Sequence, residues 1–182
     1  IKGSDCTGYT VDFRNVTRVV ARAGTPRVTA LRSATVETIT PPALDFSHET
    51  YVDDAPVTGV VGRARATAGG VMVDVTEPKE TTLNLSRAIF PTAHTRLILE
   101  AAKSGEQVLE ASVYDGGDEA DAVYETATVI GPVGTDLPDA SPSEREALMK
   151  IPDATEHEAW RLVITYFEAG GAEGESEAQF TA

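Results

Sequence analysis

Four features of this sequence have the chemistry for a reactive or metal-binding site: one cysteine, three histidines, a short acidic run and a surplus of carboxylates. The run Asp115-Gly116-Gly117-Asp118-Glu119-Ala120-Asp121 sets four carboxylates in seven residues, enough hard oxygen donors for a calcium ion. A helix–loop–helix calcium site wants Asp or Asn at positions one, three and five and Gly at six. Counted from Asp115, position three is Gly117 and position six is Ala120, so the run reads as a solvated hairpin loop. His48, His94 and His157 fall in no HxH or HExxH spacing, and a single cysteine cannot build a Cys-rich zinc site. No metal ligands are assigned, and the histidines read as structural hydrogen-bonding groups. Nothing in the spacing favours a spatial pair of His48 with His94.

Nucleophilic chemistry finds no better footing. There is no GxSxG elbow, and Cys6 has the acidic neighbour Asp5 where a nucleophilic cysteine wants positive charge. No glycine-rich loop stands between a strand and a helix to cradle a phosphate, and no cofactor is called for. Carboxylate pairs for glycoside hydrolysis cannot be singled out among so many acids. Asn15-Val16-Thr17 and Asn84-Leu85-Ser86 match the glycosylation tripeptide, which also arises by chance. The residue types point away from an enzyme.

The elements that carry these residues are mostly strands. Tyr9, Val11 and Phe13 alternate with Thr10, Asp12 and Arg14 between Gly8 and Val20, the period of a half-buried strand. The alternation changes phase near Val16, which predicts a bulge there. Strands follow at Val28 to Thr40, Phe46 to Val52, Val57 to Ala66 and Val71 to Thr76. Gly24-Thr25-Pro26, Asp53-Asp54-Ala55-Pro56 and Gly69-Gly70 make turns, and Pro41-Pro42 breaks the sheet. With no helices between them, these strands form an antiparallel meander. From Pro91 to Ser104 the apolar positions Ala93, Leu97, Ile98, Ala101 and Ala102 take helical spacing. Thr92 is placed to cap this helix, Lys103 suits its last turn and Gly105 ends it. Strands resume at Gln107 to Tyr114, Ala122 to Ile130, Trp160 to Phe167 and Glu175 to Thr181, with a short helix at 143–149. The expected fold is mostly β, a curved antiparallel sheet with one main packed helix over 91–104.

Composition sets the remaining bounds. The chain has 182 residues, 29 acidic against 15 Lys and Arg, and a formal charge of -14. That length makes one domain, and a pI near 4.5 argues against a nucleic-acid partner. No apolar run approaches the roughly 20 residues of a membrane-spanning helix. The chain opens at Ile1-Lys2 and closes within an alternating pattern, so a single domain over 1–182, truncated at both ends, is expected.

Several stretches resemble one family in order along nearly the whole chain. They are Gly3-Ser4-Asp5-Cys6-Thr7-Gly8-Tyr9, Leu31-Arg32-Ser33-Ala34-Thr35, Leu83-Asn84-Leu85 through Phe90-Pro91-Thr92-Ala93-His94-Thr95, and Glu100-Ala101-Ala102-Lys103-Ser104-Gly105. Val113-Tyr114-Asp115-Gly116-Gly117-Asp118, Val123-Tyr124-Glu125-Thr126 to Ile130-Gly131, and Trp160 to Glu175 continue the match. Together they resemble the EipB family of alphaproteobacterial cell-envelope integrity proteins. The resemblance implies a periplasmic protein, a β-spiral that rolls into an incompletely closed barrel, and no established catalytic residues. It also implies a disulfide from Cys6 to a second cysteine, which lies outside these residues.

The function expected on this basis is non-enzymatic support of the cell envelope by binding. The partner is a lipid, a cell-wall component or another periplasmic protein, and the protein is a monomer without a transmembrane segment. Tyr9, Phe13, Phe46 and Tyr51 are candidates to line an apolar concave face, with packing in the core as their plain alternative. The Phe90-Pro91-Thr92-Ala93-His94 turn is a candidate joint that fixes the helix on the sheet, or part of a partner surface. A filled structural scaffold and a hydrolase of envelope polymers are the rivals.

Overall fold

A computed structural model describes residues 1–20, 25–117, 119–132, 141–143, 146, 150, 158–168 and 178–181. Seven strands pair in chain order in one antiparallel sheet. They are β1 (Lys2–Ser4), β2 (Gly8–Val19), β3 (Arg27–Ile39), β4 (Pro42–Val52), β5 (Ala55–Ala66), β6 (Val71–Glu77) and β7 (Thr81–Leu85). The helix α1 (Pro91–Ser104) follows, then β8 (Val108–Val113), β9 (Tyr124–Pro132), β10 (Trp160–Glu168) and β11 (Ala178–Thr181). These last four form a second antiparallel sheet in the order β11-β10-β9-β8. Ile89 bridges to Val113 in parallel, which stitches the segment before α1 to the second sheet. The mostly-β, one-helix architecture is the one expected, and α1 has the bounds its apolar spacing predicts.

Local chemistry explains the turns. Asp53 and Asp54 both take positive φ (49° and 65°), the geometry of a two-residue hairpin whose twist matches its strands. Asp tolerates that conformation because its short polar side chain bonds locally, and Asp53 Oδ1 accepts from the Val28 amide at 2.9 Å. Pro41-Pro42 does not break the sheet. Thr40 and Pro41 form the turn, and Pro42 opens β4 opposite Ile39, a strand end where a missing N–H is tolerated.

The bulge expected near Val16 is not there. β2 and β3 pair without interruption from Tyr9 opposite Glu37 to Val19 opposite Arg27. The apparent phase change arises because both faces of β2 carry apolar side chains that remain exposed, Phe13 and Val19 on one and Val16 on the other. Register shifts occur instead between Thr50 and Tyr51 and between Val61 and Gly62, beside β5. β1 and β7, too short and polar to show a period, escape the sequence reading. Pro142, Ser143 and Glu146 are helical, while residues 144, 145 and 147–149 of the expected short helix lie outside the described residues.

Two apolar clusters hold the molecule. Leu44, Phe46, Val60, Ala64, Val71, Val73 and Val75 cover the inner face of the large sheet and meet Ala88, Phe90, Tyr114 and Val123. Ile98, Ala101 and Ala102 of α1 pack on Ile130, with Leu109, Trp160, Leu162 and Ile164 around them. α1 thus lies on the second sheet, while the segments before α1 and after β8 fill the first.

Candidate functional site

The inner face of the large sheet is defined by its register. Tyr9, Glu37, Leu44, Ala64, Val73 and Leu83 form one row across six strands, and Val11, Thr35, Phe46, Gly62, Val75 and Thr81 form the next. A third row holds Phe13, Ser33, His48 and Val60. Tyr9, Phe13 and Phe46 therefore share a face. Tyr51 does not: it pairs with Ala30, which pairs with Val16, on the outer face.

Cover on the inner face is uneven. Phe46 is 3% exposed, its ring set against the Tyr114 ring at 6.0 Å in an edge contact. Gly62 and Gly116 leave room for it, since a Cβ on Gly116 would lie 2.5 Å from Phe46 Cγ and one on Gly62 would lie 2.7 Å from Phe46 Cζ. Gly116 also has φ +70°, a conformation that side chains other than glycine resist. Two strands away Phe13 is 51% exposed, and Val11 and Leu31 on its face are half-buried. The apolar surface continues past the edge of its cover.

The Phe90–His94 turn is a joint between the two sheets. Phe90 stands at the helix N-cap position without a capping side chain, and Pro91 opens the first turn. Thr92 is not the cap, because it already lies within that turn. Its amide donates to Glu37 Oε2 at 2.7 Å, and the Ala93 amide donates to Glu37 Oε1 at 3.3 Å. Glu37, buried to 4% exposure in β3, thus caps α1 from the other sheet; a carboxylate satisfies the free N–H groups and meets the positive end of the helix dipole. At the far end Gly105 takes φ 84°, and Gly105 and Glu106 donate to Ala102 and Ala101 in a Schellman closure, as the glycine predicts.

His94 is buried one turn into α1. Thr126 on β9 spends its hydroxyl proton on the Ala111 carbonyl at 2.8 Å, so its oxygen accepts from His94 Nε2 at 3.2 Å. His94 Nε2 therefore carries the proton of the neutral ring, and burial lowers the pKa from 6.5. Tyr9 closes the other flank: its hydroxyl donates to Asp5 Oδ1 at 2.7 Å, and Arg96 of α1 pairs with the same carboxylate. His48 stands on β4 opposite Ser33, on the inner face and away from this joint, and His157 lies outside the described residues.

The acidic run is the loop of the β8–β9 hairpin, as expected, with Glu119 and Asp121 exposed, but its head is anchored in the core. Tyr114 at its head is wholly buried and donates to the Ala120 carbonyl at 3.0 Å, folding the run back on itself. Asp115 Oδ1 accepts from the Gly117 amide at 3.0 Å, Gly116 packs on Phe46, and Asp118 lies outside the described residues. Burial first, then the Asp115 and Asp121 charges, push the Tyr114 phenol well above its ordinary pKa. Cys6 is an exposed free thiol in the β1–β2 turn. Sequence reasoning missed Glu37 and Tyr114; a buried-type aromatic directly before Asp-Gly-Gly was the available signal for Tyr114.

The family model described as EipB-like matches residues 1–182. A Brucella abortus protein named cell envelope integrity protein EipB is 32% identical over 166 residues, covering 91% of this chain and 57% of its own length. The crystal structure of a β-barrel-like protein of domain of unknown function DUF1849, also from Brucella abortus, superposes with a TM-score of 0.83 at 30% identity. That match covers 94% of this chain and 68% of the other. The chain thus spans little more than half the length of the curated relative.

Proposed function

Because the chain belongs to the EipB-like family, we propose that it acts in the periplasm as a non-enzymatic protein that supports cell-envelope integrity by binding an apolar envelope component, a lipid chain foremost. The similar Brucella abortus protein carries the envelope-integrity name, which supports the setting. The observation that carries the binding reading is the half-exposed Phe13 on the same sheet face as the buried Phe46. An acyl chain laid along Val11, Phe13 and Leu31 extends the buried core without needing polar partners. Two of the three shifted titratable groups among the described residues, His94 and Tyr114, are held in structural hydrogen bonds, which supports a role outside catalysis.

A fluorescent polyene fatty acid, cis-parinaric acid, tests this reading. Saturable fluorescence enhancement is expected, with affinity falling about tenfold or more in Phe13→Asp at an unchanged melting temperature. No saturable uptake, or equal uptake by Phe13→Asp, contradicts it. A filled structural scaffold is the second reading, favoured by the close seating of Phe46 between Gly62 and Gly116.

A further inference from the structure

We infer that the outer face of β2 and β3 docks the protein onto a bilayer surface rich in anionic phospholipid. The first 32 residues hold six basic side chains (Lys2, Arg14, Arg18, Arg22, Arg27 and Arg32) against Asp5 and Asp12, a local charge of +4 in a chain of -14. Register gathers three of these arginines on one face. Arg14 stands opposite Arg32, and Arg18 stands opposite Val28 two positions along. Between them runs an apolar row, Val16 opposite Ala30 opposite Tyr51, with Val16 52% exposed.

Three arginines outside this face are paired. Arg63, Arg65 and Arg96 each pair with an aspartate, at Asp45, Asp74 and Asp5. Among the described residues no carboxylate pairs with Arg14, Arg18 or Arg32. Arg14 and Arg32 are like charges directly opposite across a strand pair and repel, offset on the β4 side by Glu49, which stands opposite Arg32. Arg32 lies over the Tyr51 ring, its guanidinium carbon 4.6 Å from the centroid, while the Tyr51 hydroxyl donates to Glu49 at 3.1 Å. Glu49 and Asp12 are the acids at this patch, both lining the shallow depression that also holds Arg14 and Arg32.

Arginines that flank exposed valine and a half-buried tyrosine match the headgroup region of a bilayer. Phosphates meet the guanidinium groups there, and the upper acyl region meets the apolar row. A soluble anion satisfies only the first requirement. The acidic remainder of the chain is repelled by the same surface, so the protein is oriented with β2 and β3 facing the lipid. This docking rests on the envelope setting and not on the inner-face ligand, and the two are separable by variants on opposite faces.

The test is co-sedimentation of the chain with vesicles of phosphatidylcholine alone or containing about 30% phosphatidylglycerol. Binding to the anionic vesicles about tenfold or more above the neutral ones, released near 0.5 M salt, is the expected result. Arg14→Glu with Arg18→Glu removes it, Arg14→Gln with Arg18→Gln weakens it, and the paired Lys variants retain it. Leu31→Ser, an uncharged change on the inner face, leaves it in place. The glutamine pair keeps the test decisive if charge reversal disturbs folding. Equal partition onto both vesicle types, indifference to the glutamine pair, or capture by soluble polyphosphate without capture by vesicles would overturn the inference.

Discussion

His94 shows how a residue that invites a catalytic reading serves packing instead. The Thr126 hydroxyl donates a hydrogen bond to the Ala111 carbonyl and accepts one from the ring, which fixes the neutral tautomer in a buried place. Since the folded pKa lies below 6.5, the unfolded chain binds the proton first. Stability owed to neutral His94 is present above pH 6.5 and is lost as pH falls through 6.5 toward the lower folded value. Thermal melts from pH 7.5 to 5 are expected to decline partly through this group. His94→Gln, which keeps a donor toward Thr126 without a titrating ring, is expected to flatten that decline; an unaltered pH profile in the variant contradicts the assignment. The sequence gives His94 no metal-ligand spacing and does not reveal its partner, because Thr126 lies 32 residues away on β9.

At the scale of elements the decisive contact is Glu37 with the first turn of α1. The helix itself is legible: spacing gives its extent and Gly105 its end, although Leu97 turns out to be partly exposed and His94 takes a place on the buried side. Its cap is not legible, because the side chain arrives from a strand 55 residues earlier. In β3 the apolar Val36 is 40% exposed while the charged Glu37 beside it is buried. The need of the helix N-terminus for negative charge overrides the binary pattern. Glu37→Ala is expected to cost about 2 kcal/mol, the sum expected for a lost cap and its charge-assisted hydrogen bonds, with Glu37→Gln costing less. Denaturant unfolding checks this, and a loss below about 0.5 kcal/mol for the alanine variant would show that the cap is dispensable.

At the scale of the molecule, the described residues form two antiparallel sheets joined through α1, Glu37 and the Phe46–Tyr114 contact. Strand content and meander order are readable from turn residues and period-two runs, since each hairpin is local in sequence. The pairing of the two sheets is not, because its contacts depend on glycines that make room for a distant ring: Gly62 and Gly116 matter only once Phe46 arrives between them. The candidate lining residues divide for the same reason. Phe46 becomes core, Tyr9 ties to Asp5, Tyr51 turns outward, and Phe13 remains on open apolar surface.

That open surface is the centre of the proposed function, and native mass spectrometry of the protein purified from its own host's envelope fraction tests it most directly. The account predicts a co-purifying adduct of lipid mass that dissociates in organic solvent and is lost in Phe13→Asp. A bare protein, with the variant indistinguishable from it, would contradict the binding role and leave the filled scaffold in its place.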